Sequence, residues 1–162
     1  MTKRTTTSDP GAYFDKLSRH MAAADGAGVE YGIRDEPHYS GLTTAQLARR
    51  LERGDEARGL EPRPFFEQAE EDMRVIAPRL LRRAVQAIAK GKDPARALET
   101  LADAAHEAMS RAIDNFDDPP NKPSTIKRKG RNDPLVSRGD LLAAADAVVV
   151  MDAGSDADES EE

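Results

Sequence analysis

Metal, nucleophile and redox chemistry each need a small set of side chains at workable spacing, and this chain supplies them sparsely. Its three histidines, His20, His38 and His106, share no metal-ligand spacing. Cysteine is absent, so a thiolate nucleophile, a thiolate metal site and a disulfide framework are all excluded. The serines, threonines and histidines form no recognisable nucleophile motif. Gly26-Ala27-Gly28 with Gly32 is rich enough in glycine to suggest a dinucleotide loop. Such a loop follows a strand with fixed glycine spacing, whereas these glycines precede one. Ser137-Arg138-Gly139-Asp140 contains an Arg-Gly-Asp tripeptide. No apolar run follows Lys3-Arg4, so no secretion signal is expected and the tripeptide reads as chance. The expectation is no catalytic centre, no cofactor and no metal.

Two charged stretches have the residue types for binding. Lys127-Arg128-Lys129 with Arg131, preceded by Lys122, could touch phosphates or an acidic protein surface, or be a solvated run. Residues 42–51, Leu-Thr-Thr-Ala-Gln-Leu-Ala-Arg-Arg-Leu, resemble the first helix of a helix-turn-helix. A recognition helix should follow after a short turn, but the next residues are acidic and broken by Pro62. A DNA-binding regulator using residues 43–54 is therefore the alternative functional reading.

The elements that must position these groups centre on residues 64–116, which read as two long helices. Phe66, Ala69, Met73, Ile76, Leu80, Ala84 and Ile88 recur by threes and fours, as do Leu98, Leu101, Ala105, Ala108, Met109, Ala112 and Ile113. Acids crowd the first turns of the first helix and bases its last, matching the helix dipole. Gly91 is placed to end it, and Asp93-Pro94 to cap and start the second. Pro78 falls inside the first helix, where it costs about 3 kcal/mol; a kink near 74–78, or two helices, is expected. Phe65, Phe66, Leu80 and Leu101 are the expected core anchors.

Around the hairpin, Tyr13, Phe14, Leu17, Met21 and Ala24 give a short amphipathic helix. Val29, Tyr31 and Ile33 alternate with polar or small residues as a strand does. Residues 43–54 form a helix capped by Thr43 or Thr44, and 147–151 a strand that could pair with 29–33. The expected fold class is α+β, a long helical hairpin packed on a small antiparallel sheet. Residues 1–10 read as a flexible arm, 11–151 as one domain, and 117–134 as an extended basic loop. The chain has 24 basic and 30 acidic residues, and six of the acids lie after Met151 with no base among them. The acidity therefore belongs to residues 152–162, read as a disordered acidic tail, while the rest is balanced. With 4% aromatics and 33% charged residues, the core is thin. No stretch is long and apolar enough to span a bilayer, so no membrane partner is expected. The loop at 117–134 carries four prolines, and Ile126 is its only aliphatic residue. Fixing each residue costs roughly 1–2 kcal/mol, so the loop is expected to be mobile alone or ordered by something outside the monomer. Lys122, Ile126, Lys127, Arg128, Lys129, Arg131 and Leu135 are the expected contact residues toward another subunit or partner.

The order of these features resembles a known family. Arg49-Arg50-Leu51-Glu52-Arg53-Gly54, then Glu61-Pro62-Arg63-Pro64-Phe65-Phe66, then a long helix, is similar to a segment of tailed-phage tail-completion and neck proteins. These include the lambda minor tail protein Z type and the Mu gpG-like virion morphogenesis proteins. The run Asn121-Lys122-Pro123-Ser124-Thr125-Ile126, Lys129-Gly130 and Pro134-Leu135-Val136-Ser137-Arg138-Gly139-Asp140-Leu141 continues the likeness, which spans about residues 29–151. Pro62 replaces the usual small residue, and Ser137-Arg138 stands where a threonine directly precedes glycine. The resemblance implies an α+β fold without enzymatic activity, and a structural virion protein at the head–tail junction. It further implies a homo-oligomeric ring, expected to be a hexamer, beside other phage neck and tail proteins, with packaged DNA nearby. Assembly would take place in the host cytoplasm.

Overall fold

A computed structural model describes residues 10–151. Residues 1–9 of the expected arm and the acidic run 152–162 lie outside the described residues. The elements are α1 (Pro10–Ala22), β1 (Gly28–Ile33), α2 (Thr44–Arg53), α3 (Phe65–Ala89), α4 (Pro94–Asp114), α5 (Pro123–Lys129), α6 (Asp140–Ala143) and β2 (Ala145–Val150). A single 3-10 turn, Glu56–Arg58, separates α2 from α3. The fold is α+β, as expected: α3 and α4 form an antiparallel hairpin, and α4 packs on a two-stranded antiparallel sheet. Pro10, the boundary residue of the expected arm, opens α1.

Local chemistry explains most boundaries. Thr43, not Thr44, caps α2: its side chain accepts from the Gln46 N–H while Gln46 Oε1 accepts from the Thr43 N–H. This reciprocal pair satisfies two otherwise unbonded helix-end donors. Thr44 is buried; its hydroxyl donates to the Arg34 carbonyl and accepts from the Glu36 N–H, tying the segment after β1 to α2. Pro64 offers α3 no side-chain cap. Glu52 of α2 supplies one instead, its carboxylate accepting from the Phe66 N–H at 3.1 Å. Burial pushes the Glu52 carboxyl upward and that N–H draws it back down.

Helix α3 runs through Pro78 for 25 residues, so of the two expected outcomes, a kink or two helices, the second does not occur. Pro78 lies on the exposed face. The Arg74 carbonyl it leaves without an intrahelical donor is on the same side, where water can bond it. At the far end the Gly91 N–H donates to the Ile88 carbonyl and the Lys92 N–H to Ala87, a Schellman closure with Gly91 at φ 93°. A Cβ at Gly91 would lie 2.9 Å from His20 Cε1, because α1 docks there with His20 Nδ1 3.2 Å from the Ala89 carbonyl. Gly91→Ala is therefore expected to cost about 1–2 kcal/mol from left-handed strain alone, plus the His20 clash. A lowered denaturation midpoint checks this. Asp93 caps α4, accepting from the Arg96 N–H at 3.0 Å, with Pro94 following it.

The core has two parts along the hairpin. One joins Phe65, Ala69, Met109 and Ile113 to Leu135 and Leu141; the other joins Met73 and Ala84 to Leu98, Leu101, Ala105 and Ala108. Of the four expected anchors, Phe65 and Leu101 are buried, while Phe66 and Leu80 are half-buried and packed against the core. Many buried positions are alanine, which lets α3 and α4 approach closely. In the sheet, Val29 pairs with Val149 and Tyr31 with Ala147. Val29, Tyr31, Ala147 and Val149 face the helices, and Glu30 and Val148 face outward and are exposed. No helix among the described residues is long and apolar enough to cross a membrane.

Candidate functional site

The 117–134 segment is not the structureless loop its composition suggests. Residues Pro123–Lys129 form α5, with Pro123 in the first helical turn and Gly130 closing it in the left-handed region. Polar bonds, not aliphatic burial, hold the segment to the body. Arg63, in the extended run between the 3-10 turn and α3, donates from Nη1 to the Pro134 carbonyl at 2.8 Å and from Nη2 to Asn121 Oδ1 at 3.3 Å. The Asn121 N–H donates to Asn132 Oδ1 at 2.9 Å, closing the segment on itself. Lys129 Nζ donates to the carbonyls of Asp133 and Val136, each at 2.9 Å. The chain itself thus meets the need that the sequence assigned to a neighbouring subunit.

The expected contact residues divide accordingly. Lys122, Lys127, Arg128 and Arg131 are exposed, and Ile126 is half-buried. Arg131 pairs with Asp133 at 2.9 Å. Lys129 is half-buried and bonded to its own chain. Leu135 is 6% exposed and belongs to the core, which corrects its assignment to an interface. The reason is topological: the segment folds back under Arg63 and delivers Leu135 to the base of the hairpin.

Arg63 is the residue that the sequence does not flag. Prolines flank it, and its partners lie 58 and 71 positions away. It lines a cleft of about 340 Å³. Arg58, Lys122, Arg128 and Lys129 also line the cleft, and Glu61 is the one acidic side chain there. Lys122 Nζ reaches across it, 3.2 Å from where a Gly59 Cβ would stand. Arg63 is 9% exposed and makes no ion pair among the described residues. Its Nε and Asn121 Nδ2 are buried with no acceptor. Burial lowers the Arg63 pKa, with Glu61 opposing. Burial, then the Arg63 charge, lowers that of Lys129.

A second kind of surface is apolar. On α1, Tyr13 and Phe14 are 61% and 63% exposed and meet edge to face at 5.8 Å. Met21 is exposed as well, and only Leu17 and His20 of residues 11–22 are half-buried. On α3, Val75, Pro78, Leu81 and Val85 step by threes and fours along one exposed face, with Val75 at 81%.

The other motifs are absorbed by structure. Arg138 stacks over Tyr39 at 4.1 Å, and Asp140 opens α6 and lies 3.3 Å from His38 Nε2, so the Arg-Gly-Asp tripeptide makes internal contacts. Among the described residues no three metal-ligating side chains cluster. After α2 comes the 3-10 turn, not a second helix, and Arg50 pairs with Asp55 at 3.6 Å, leaving Arg49 and Arg53 exposed. Comparison with family models, with curated proteins and with solved structures gives no match.

Proposed function

We propose that this chain is a structural virion protein of a tailed phage that assembles into a ring at the head–tail junction. The observation that carries the reading is α1. A 13-residue helix presents an aromatic pair and a methionine to solvent, and among the described elements it packs chiefly against α3. Exposed aromatics of this kind serve as anchors at protein interfaces. The apolar face of α3 adds a second surface, so each copy offers two different patches. Head-to-tail pairing of unlike patches generates rings when the rotation closes. The motif order over residues 29–151 supports the same assignment and the expectation of six copies. The 117–134 segment no longer contributes to it, because Arg63 holds that segment within one chain.

Native mass spectrometry and negative-stain microscopy over a wide range of concentrations test the reading. The wild-type chain is expected to populate a discrete closed oligomer. Tyr13→Glu/Phe14→Glu is expected to leave monomers with an unchanged helical circular-dichroism spectrum. A wild-type chain that stays monomeric at every concentration, alone and on phage particles lacking their neck, would overturn it.

A further inference from the structure

We propose that the cleft between the 3-10 turn and α5 is an anion site for carboxylates of an acidic protein segment. A buried cation without a counter-charge is unfavourable, and structures resolve this with a paired anion. Arg63 approaches that case: it is buried and makes no ion pair among the described residues, with Glu61 the one acid lining its cleft. Its Nη1 and Nη2 are committed to Pro134 and Asn121, while its Nε–H and the Asn121 side-chain Nδ2 have no acceptor among the described residues. Both belong to residues lining the cleft. Arg58, Lys122 and Arg128 line the same cleft, and Arg58 is shared with Asp55 at 3.7 Å. Buried donors and three exposed cations thus belong to the same cleft.

Shape decides between carboxylate and nucleic acid. The cleft holds about 340 Å³, room for one or two side chains and not for a duplex backbone. A carboxylate on a flexible side chain enters such a space more readily than a phosphodiester tethered on both sides. The chain itself carries a segment of the right chemistry: six acids and no base in residues 152–162. A second copy could supply it, or a different acidic protein could; the chemistry is the same.

The test titrates two fluorescent probes, a synthetic peptide of residues 152–162 and hexaglutamate, into the full chain at low ionic strength. Duplex and single-stranded DNA serve as comparators. Saturable peptide binding is expected. Lys122→Ala/Arg128→Ala should weaken it about tenfold, the loss of roughly one charge-assisted contact. Arg82→Ala/Arg83→Ala removes the same charge from the exposed face of α3 and should change it little. These rim substitutions leave the Arg63 bonds intact, so unaltered thermal melting is expected alongside. Binding of both probes supports a general carboxylate site, and binding of the 152–162 peptide alone supports a second copy as the source. No peptide binding, equal weakening by both double variants, or tighter DNA binding lost in Lys122→Ala/Arg128→Ala would each overturn the proposal.

Discussion

Arg63→Ala is expected to loosen the whole of 117–134 and to lower stability by about 2–3 kcal/mol. Each hydrogen bond from a charged donor contributes roughly 1.5–3 kcal/mol, and Arg63 makes two across long sequence separation. Relief of a buried unpaired charge offsets part of that loss. The Pro134 carbonyl and the Asn121 side chain would be left without donors. Hydrogen exchange gives the sharper readout. The Thr125, Ile126 and Gly130 amides, bonded within α5, should exchange much faster, while those of α4 should slow-exchange as before. Arg63→Met keeps most of the volume but removes both bonds, so it should free α5 as well. Slow exchange in α5 of Arg63→Met would show that packing, not the guanidinium, holds the segment.

Phe65→Ala is expected to be the most damaging single truncation, at about 3–5 kcal/mol. Phe65 has no solvent exposure, lies 4.7 Å from the Phe66 ring, and packs in the cluster of Met109, Ile113 and Leu135. The alanine-rich hairpin offers few long side chains to collapse into the space. Urea denaturation should show a lower midpoint with an unchanged slope. Glu99→Ala, on the exposed side of α4, should stay within about 0.5 kcal/mol of wild type. A loss at Phe65 as small as that at Glu99 would contradict this packing.

The hairpin, α2 and the strand pair were legible because their signals are local. Three-and-four spacing marks α3 and α4, and Thr43, Gly91 and Asp93 act on neighbours within a few positions. The pairing of 29–33 with the chain's last strand was legible too, though β2 begins two residues earlier than its apolar run, at Ala145. The 117–134 segment was not, because aliphatic content was the wrong measure of what holds it. Pro123 at the start, Lys127, Arg128 and Lys129 in the last turn and Gly130 beyond them are nonetheless a helix signature. Arg63 gives no local sign of its role, since nothing in a Pro-Arg-Pro run says where the guanidinium will point. Exposure on α1 was equally hidden: its amphipathic pattern predicts a buried face but not which molecule buries it.

The two-stranded sheet has a consequence for synthesis. The α3–α4 hairpin joins near neighbours and can close as soon as both helices have emerged. The ladder cannot, since Val29 must wait for Val149 and Tyr31 for Ala147. Pairings this distant in sequence form slowly. Until the last strand leaves the ribosome, β1 has no hydrogen-bonding partner on that edge. A growing chain therefore carries an open strand through most of its translation, and a stalled or truncated product would expose it permanently to other chains.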